Sequence, residues 1–229
     1  MLILASETAI IISFPTGQHL QMQTTFAKIF DQYDQELPTP IQVDLLAKYL
    51  SGYDKTEKQY ILQGFSKGFT VFSAISDTQV QCRNLQSALL RPGIVAEKIQ
   101  TELAAGRFAG SFDHPPLPKF HVSPLGLCPK KEPNKFRVFH HLSYPKEGSV
   151  NDFISSEYSS VQYSRIQDAI SAIKMYQSDV YLSKCDIEMA YRNLPLSPNE
   201  YHKFGFIWDN QFYYEKCLTM GCASSCQIF

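Results

Sequence analysis

The sequence has 229 residues, of which 44% are hydrophobic and 19% are charged, and its formal net charge at pH 7 is −1. This composition is typical of one large globular domain or of two small ones. A net charge near zero excludes a uniformly basic protein, so any surface that binds nucleic acid has to be local. Charge is uneven along the chain, because residues 113–146 contain six Lys or Arg against two acidic residues.

The amino-terminal residues 2–12 are apolar, but they include Glu7 and follow no basic residue. They are much shorter than the roughly 20 residues that a membrane-spanning helix needs, and they lack the basic start of a signal peptide. We therefore expect an intracellular protein, in the nucleus or cytoplasm, with no membrane partner. The six cysteines follow no paired metal-binding pattern, which favours free thiols in a reducing compartment over structural zinc.

Short helices are predicted in the first third of the chain. A weak pattern indicates one around residues 22–33. Thr39 can cap a helix that Pro40 begins, and apolar residues then recur at helical spacing to about residue 50. Asp54 followed by Glu57 resembles a capping box and predicts the start of the next helix. Two such helices could form a DNA-reading helix-turn-helix, but the acidic balance of residues 31–60 favours a small helical lead-in.

The middle of the chain combines a helix, an extended run and a hairpin. Pro92 begins an amphipathic helix that Gly106 is placed to end. The Pro-rich residues 112–118 are interpreted as a surface linker rather than a partner-binding segment. Residues 125–131 and 135–141 are typical of two strands joined by a turn. Four cations lie near the tip of this hairpin, where they would either grip a triphosphate or only keep the hairpin soluble: Lys130, Lys131, Lys135 and Arg137.

The last third of the chain contains Asp186, the acidic residue on which the prediction of function depends. Residues 161–177 are expected to form an amphipathic helix with Ile166, Ala169, Ile170 and Ile173 facing inward. Residues 180–185 have the composition of a buried strand, and Asp186 comes at its end. A second hairpin is predicted over residues 204–214, turning at Asp209 and Asn210. An aspartate at the end of a strand is by itself most often a helix cap, so its meaning depends on its neighbours.

The segments around Asp186 follow a definite order. Asp186 and Tyr191 stand in an Asp-x-x-x-Ala-Tyr pattern. The segments that follow are Leu194-Pro-Leu196, His202-Lys-Phe-Gly-Phe206, Cys217-Leu-Thr-Met-Gly221 and Ser224-Ser-Cys-Gln-Ile-Phe229. The segments that precede are Ser123-Pro-Leu-Gly-Leu-Cys-Pro-Lys-Lys131, Phe136-Arg-Val-Phe-His-His-Leu-Ser143 and Gly148-Ser-Val-Asn-Asp152. Together, over residues 85–229, they resemble the fingers region and motifs A and B of reverse transcriptases. The residues of these segments are most similar to those of DIRS-like retrotransposons, which carry a tyrosine recombinase.

The resemblance implies an α+β fold of polymerase fingers and a partial palm, as in right-hand polymerases, preceded by a small helical region. The implied domains are a helical lead-in of open affiliation over residues 1–84, fingers with the cationic hairpin over residues 85–160, and a partial palm over residues 161–229. The implied activity is addition of dNTPs to a primer on an RNA or DNA template by a two-metal mechanism. Primer–template nucleic acid and dNTPs are the partners that such an activity requires.

The resemblance also assigns roles to individual residues. Asp186 would be the catalytic carboxylate and would bind Mg²⁺ together with the carbonyl of Ile187. Lys130 and Arg137 would hold the phosphates of the incoming nucleotide. Tyr191 would act as a steric gate beneath the sugar.

Gly221 would let the backbone approach template and nucleotide closely. Met220 departs from many relatives, which have a polar residue before this glycine.

The Tyr-x-Asp-Asp hairpin that supplies the other metal-binding carboxylates in this family does not occur in the sequence. The thumb and any RNase H or recombinase region are absent as well, so we expect an incomplete polymerase that is inactive as this isolated chain. Three interpretations stay open. They are a reverse-transcriptase domain that is cut short, a non-enzymatic remnant that binds nucleic acid or nucleotide, and an interaction module whose helical half binds another protein.

Overall fold

The computed structural model describes residues 3–5, 8–10, 36–75, 80–176 and 186–229. The chain divides into two compact units. The small unit comprises Met1–Glu36 and Val161–Ala190, and the large unit comprises Leu37–Ser160 and Tyr191–Phe229. Within the described ranges, no helix is long and apolar enough to cross a membrane.

The elements are a mixture of short helices and antiparallel strands. The α-helices are α1 (Val43–Tyr49), α2 (Lys55–Lys67), α3 (Gln86–Leu89), α4 (Pro92–Ala104), α5 (Ile166–Tyr176) and α6 (Ser225–Ile228). The strands are β1 (Ile3–Ala5), β2 (Thr8–Ile10), β3 (Phe108–Phe112), β4 (Leu125–Pro129), β5 (Phe136–His140), β6 (Gly205–Trp208) and β7 (Gln211–Glu215). The described residues also include 3₁₀ helices at Asn151–Phe153, Ser156–Tyr158, Ala190–Asn193 and Pro198–Lys203.

Helix α2 begins as its sequence predicts, whereas α1 does not. The Asp54 carboxylate caps α2 by accepting from the backbone N–H groups of Thr56 and Glu57. Helix α1 instead follows Gln42, which offers no side-chain cap. The predicted cap Thr39 lies before the helix, and its hydroxyl donates to the carbonyl of Asn193 at 2.8 Å. Its oxygen also accepts from the backbone N–H of Ile41 at 3.2 Å, so Thr39 closes a turn ahead of α1 instead of capping the helix.

A three-stranded antiparallel sheet in the order β3–β7–β6 forms the centre of the large unit. The β6–β7 hairpin turns at Asp209 and Asn210, which both have positive φ, as a two-residue hairpin turn requires. Strand β3 is not predicted by the sequence pattern, which assigns Phe112 to a linker. Strands β4 and β5 form a separate antiparallel pair in which Cys128 lies opposite Arg137, so the first predicted hairpin is confirmed.

Two apolar clusters fill the large unit. The first includes Phe69, Val71 and Leu196 and extends to the rings of Tyr191 and Phe229. The second lies between α4, β4 and the central sheet, and includes Val95, Ile99, Leu125, Phe206 and Tyr213. Because Phe69 pairs with Leu196 in a short parallel bridge, the segment that follows α2 is part of the same core as the segment that follows Tyr191.

The small unit contains the antiparallel pair β1–β2 and helix α5. Helix α5 begins at Ile166 rather than at residue 161. Ile166 and Ile170 are both exposed, so the prediction that these two side chains face inward is wrong. The predicted helix over residues 22–33 and the predicted strand over residues 180–185 lie outside the described residues.

Candidate functional site

The cationic tip of the β4–β5 hairpin is exposed. Lys130 directly follows β4, and its backbone N–H donates to the carbonyl of Lys135 at 2.8 Å, which closes the hairpin. Arg137 lies on β5, and its Nη1 lies 3.5 Å from the Sδ of Met220. Because a thioether sulfur is a weak hydrogen-bond acceptor, Met220 holds the Arg137 guanidinium only loosely.

Gly221 packs directly against the end of β5. A β-carbon at this position would overlap the carbonyl oxygen of His140, so no other residue fits without moving the backbone. The loop of residues 219–224 therefore lies flat against the hairpin strand that carries Arg137.

The Asn151 side chain makes three hydrogen bonds, two of them to the same loop. Its Nδ2 donates to the carbonyl of Gly221 at 2.8 Å and to the hydroxyl of Ser143 at 2.8 Å. Its Oδ1 accepts from the backbone N–H of Ala223 at 2.9 Å. All of the amide's atoms are thus used to join the 3₁₀ helix at Asn151–Phe153, the chain after β5 and the loop.

Tyr191 lies in the 3₁₀ helix Ala190–Asn193, with its side chain partly buried. Its ring meets the ring of Phe229 edge to face, with centroids 5.6 Å apart. Its hydroxyl oxygen lies 2.9 Å from the Sγ of Cys226. Both contacts come from the end of the chain that follows the Gly221 loop, so the ring of Tyr191 is held by the segment that continues from Gly221.

Five ionisable side chains contact one another in series within the large unit. We call them the charge chain: Arg107, Glu102, Arg192, Glu215 and His140. Arg107 grips Glu102 through two parallel hydrogen bonds of 2.7 and 3.0 Å. Arg192 lies between two carboxylates, with its Nη1 bonded to Glu215 and its Nε 3.8 Å from Glu102.

The far end of the charge chain is fully buried. The Nδ1 of His140 lies 3.0 Å from Glu215, and its Nε2 lies 3.1 Å from the carbonyl oxygen of Gly205. Side-chain exposure is 0% for His140 and 2% for Glu215. The Glu215 carboxylate is therefore compensated by Arg192 and by hydrogen bonding rather than by water.

The pKa shifts follow from this mutual compensation. Burial alone would lower the pKa of Arg192, but the nearby carboxylates of Glu215 and Glu102 outweigh it and raise this pKa above its usual range. Burial would likewise raise the pKa of Glu215, but Arg192 and His140 outweigh it and hold this pKa below its usual range. Burial raises the pKa of the nearby Cys217 thiol to about 12, so this thiol stays protonated and donates to the carbonyl of Pro38 at 3.3 Å.

Asp186 and Ile187 belong to the small unit, and both are exposed. The strand predicted to end at Asp186 lies outside the described residues. No group of three or more His, Cys, Asp or Glu that could hold a metal ion occurs in the part of the chain that the structure describes.

The structure thus brings Arg137, Tyr191 and Gly221 into one unit and connects them through a few contacts. Arg137 contacts the residue before Gly221, and Tyr191 contacts the segment after it. Lys130 lies at the tip of the same hairpin. Asp186 and Ile187 are described only within the small unit.

The sequence pattern does not reveal the roles of several residues in the site. Arg192, Glu215 and His140 each follow an aromatic residue and precede another polar one, which is also typical of strand and helix ends. Asn151 lies in the segment 148–152 that resembles the fingers region, but nothing local in the sequence indicates its bonds to residues about 70 positions away.

No protein-family model matches the chain, and no curated protein matches it. Among solved structures it is similar to the foamy viral protease–reverse transcriptase dRH in complex with double-stranded DNA, with 14% identity and a TM-score of 0.47 over 86% of this chain and 35% of that chain. It is also similar to the foamy viral protease–reverse transcriptase in complex with double-stranded DNA, with 14% identity and a TM-score of 0.46 over 83% of this chain and 41% of that one. It is similar as well to the native prototype foamy virus protease–reverse transcriptase, with 15% identity and a TM-score of 0.46 over 83% of this chain and 26% of that chain. This chain therefore spans well under half the length of these proteins.

Proposed function

We propose that this chain is part of a reverse-transcriptase domain, from a retrotransposon of the DIRS-like kind, that binds primer–template nucleic acid and dNTPs. The observation that carries the proposal is the convergence of Arg137, Gly221 and Tyr191 within one unit, on a hairpin, a loop and a 3₁₀ turn. These three residues come from three separate motifs of the sequence resemblance. Arg137 contacts the residue before Gly221, and Tyr191 contacts the segment after it, so the loop at Gly221 lies between their contacts along the chain.

In this proposal Arg137 and Lys130 hold the triphosphate. A guanidinium donates to phosphate oxygens through a fork, and an ammonium acts as a point charge. Arg137 loses little when it leaves its neutral partner Met220, because a charge-assisted bond to phosphate is much stronger than one to a thioether.

Tyr191 lies beneath the sugar in this proposal and excludes a 2′-hydroxyl by its bulk. A steric gate has to be rigid, and the contacts with Phe229 and Cys226 restrict the ring from the edge and from the hydroxyl end. In this proposal the backbone at Gly221 approaches template and nucleotide, while its missing side chain makes room for the carbonyl oxygen of His140. Met220 adds an exposed apolar surface beside it.

Magnesium is expected of a complete domain of this kind, with Asp186 and the Ile187 carbonyl as its ligands. Two-metal catalysis needs several hard oxygen ligands around two ions. A single exposed carboxylate, with no metal-binding group among the residues that the structure describes, does not fit two ions. We therefore assign no catalytic step to this chain.

Binding without catalysis is the second candidate function, and the single carboxylate favours it for the isolated chain. The cationic hairpin would then serve a nucleic-acid or nucleotide-binding protein rather than an enzyme. Both candidates require that Arg137 contacts phosphate, so the same measurement tests both.

The test is titration of a fluorescent primer–template duplex at several salt concentrations. Arg137→Ala should weaken binding and reduce the slope of log affinity against log salt by about 1. Its free energy of unfolding should change by less than about 0.5 kcal/mol, since the side chain is exposed. Lys98→Ala is the matched control, because Lys98 is an exposed cation on α4 that pairs with Glu97. An unchanged slope in Arg137→Ala would leave the hairpin as a solubilising feature and overturn the proposal.

A further inference from the structure

The turn that carries Tyr191 and the strand end that supports Gly221 are joined by the last three members of the charge chain. Arg192 follows Tyr191 directly in the 3₁₀ helix Ala190–Asn193. His140 provides the carbonyl against which Gly221 packs. Glu215 lies between them and bonds to Arg192 with one carboxylate oxygen and to His140 with the other. One carboxylate thus links the turn that carries Tyr191 to the strand end that supports Gly221.

Stability alone does not account for these charges. Apolar residues of similar volume commonly replace a buried ion pair with no loss of stability, because burial removes each ion from water. A hydrophobic contact is non-directional, whereas an arginine–carboxylate contact fixes both distance and orientation. What the buried ions add over an apolar core is therefore a defined position for the elements that carry them.

Aromatic rings beside Arg192 and His140 also restrict the positions of these two side chains. The guanidinium carbon of Arg192 lies 5.4 Å from the centroid of the Phe108 ring, and the His140 ring meets Phe206 edge to face at 5.8 Å. Both aromatic residues belong to the second apolar cluster, between α4 and the central sheet. Arg192 therefore cannot rotate away from Glu215 without losing a ring contact as well as an ion pair.

We propose that Arg192, Glu215 and His140 are positioning residues, which fix the ring of Tyr191 relative to the Gly221 loop. They need not touch a ligand to do so. The use of that geometry for nucleotide selection rests on the proposed function, but the positioning itself does not.

The chain contains a built-in reporter of this geometry. Cys226 is half-buried, and its Sγ lies 2.9 Å from the hydroxyl oxygen of Tyr191. If Tyr191 moves away, this sulfur gains solvent contact and loses its partner, so its rate of alkylation rises. Cys128 is exposed on β4, outside the charge chain, and serves as an internal reference thiol. Tyr191→Ala gives the full response expected when the ring is absent.

The experiment measures iodoacetamide labelling of Cys226 relative to Cys128 by mass spectrometry in the full chain. Arg192→Met and Glu215→Gln should each raise this ratio several-fold. A glutamine at position 215 keeps the shape but removes the charge that holds Arg192 between two carboxylates. The control is Lys203→Met, which removes another buried ion, one that pairs with Glu200 at 2.8 Å and donates to the Ser73 carbonyl.

An unchanged ratio in Arg192→Met and Glu215→Gln would overturn the proposal, and so would an equal rise in Lys203→Met. Arg192→Lys covers the case in which Arg192→Met does not fold. It keeps the charge but loses the second contact, so it should give an intermediate ratio, and a wild-type ratio would count against positioning by the guanidinium.

A second arm adds dTTP with Mg²⁺ as the probe. Slower labelling of Cys226 in the wild type with dTTP would support the proposed function. Raised ratios in the variants without any effect of dTTP on the wild type would support positioning and contradict nucleotide binding. The two proposals can therefore fail separately.

Discussion

The backbone carbonyl oxygen of His140 occupies the space that a β-carbon on Gly221 would need. The same loop is held from its other side by Asn151, which bonds to the carbonyl of Gly221 and to the N–H of Ala223. The candidate site is thus built on a close approach of two backbones rather than on side-chain packing. This relationship makes the loop sensitive to very small changes.

Gly221→Ala should lower the free energy of unfolding by about 1–3 kcal/mol, as overpacking in a tight site does. Gly93→Ala is the matched control. Gly93 lies in the first turn of α4, and a β-carbon there would meet nothing within 4 Å. It should stabilise the protein by up to about 1 kcal/mol, because alanine favours a helix over glycine. Urea unfolding measures both, and equal effects of the two substitutions would contradict the close approach at Gly221.

Substitutions of Asn151 and of its partner Ser143 should lower the free energy of unfolding by different amounts. Asn151→Asp keeps the acceptor for Ala223 but turns an oxygen toward the Gly221 carbonyl, so it should cost about 1–3 kcal/mol of unfolding free energy. Ser143→Ala removes only one of the three hydrogen bonds and should cost about 1 kcal/mol or less. Urea unfolding of both variants checks the order. A Ser143→Ala variant as unstable as Asn151→Asp would show that Asn151 does not hold the loop.

The sequence predicts those features of the fold that depend on local chemistry. Asp209 and Asn210 favour the tight turn of β6–β7, and Asp54 caps α2, because both effects involve residues at most three positions apart. The Arg192–Glu215 and His140–Glu215 contacts join residues 23 and 75 positions apart. Nothing in the pattern of single charged residues indicates such pairs.

A long-range contact also occurs where the predicted start of helix α1 is wrong. Thr39 has the chemistry of a helix cap, but its hydroxyl bonds to a carbonyl 154 positions away.

Because His121 is buried, we expect the folded protein to lose stability in acid. Its side chain is 1% exposed, and neither ring nitrogen has a hydrogen-bond partner among the residues that the structure describes. Burial, together with the nearby His140 and His202, lowers the pKa of His121 to about 4. The unfolded chain binds a proton near pH 6.5, whereas the folded chain resists protonation, so stability is complete above pH 6.5 and falls as the pH drops toward 4. The total loss is up to about 3 kcal/mol.

The check is the free energy of unfolding in urea at pH 7 and at pH 5. His121→Leu should be less sensitive to pH over this range than the wild type, because its position 121 has no proton to bind. The pKa of His202 is also lowered by burial and by Lys203, so a smaller dependence of the same sign should remain in His121→Leu. Equal pH dependence in the wild type and His121→Leu would argue against a buried neutral ring.

Primer extension by this 229-residue chain is expected to be absent, even where it binds a primer–template duplex. Two magnesium ions that stabilise the attacking and leaving oxygens need carboxylates from more than one position, and Asp186 is the only carboxylate that the motifs assign. The measurement is extension of a labelled primer on an RNA template with Mg²⁺ and dNTPs, with duplex binding recorded in the same samples to show that the protein is folded. Asp186→Ala is the control, and it should bind the duplex as the wild type does. Template-dependent extension by the wild type that disappears in Asp186→Ala would contradict the prediction, because it would mean that one assigned carboxylate is sufficient or that further ligands complete the centre.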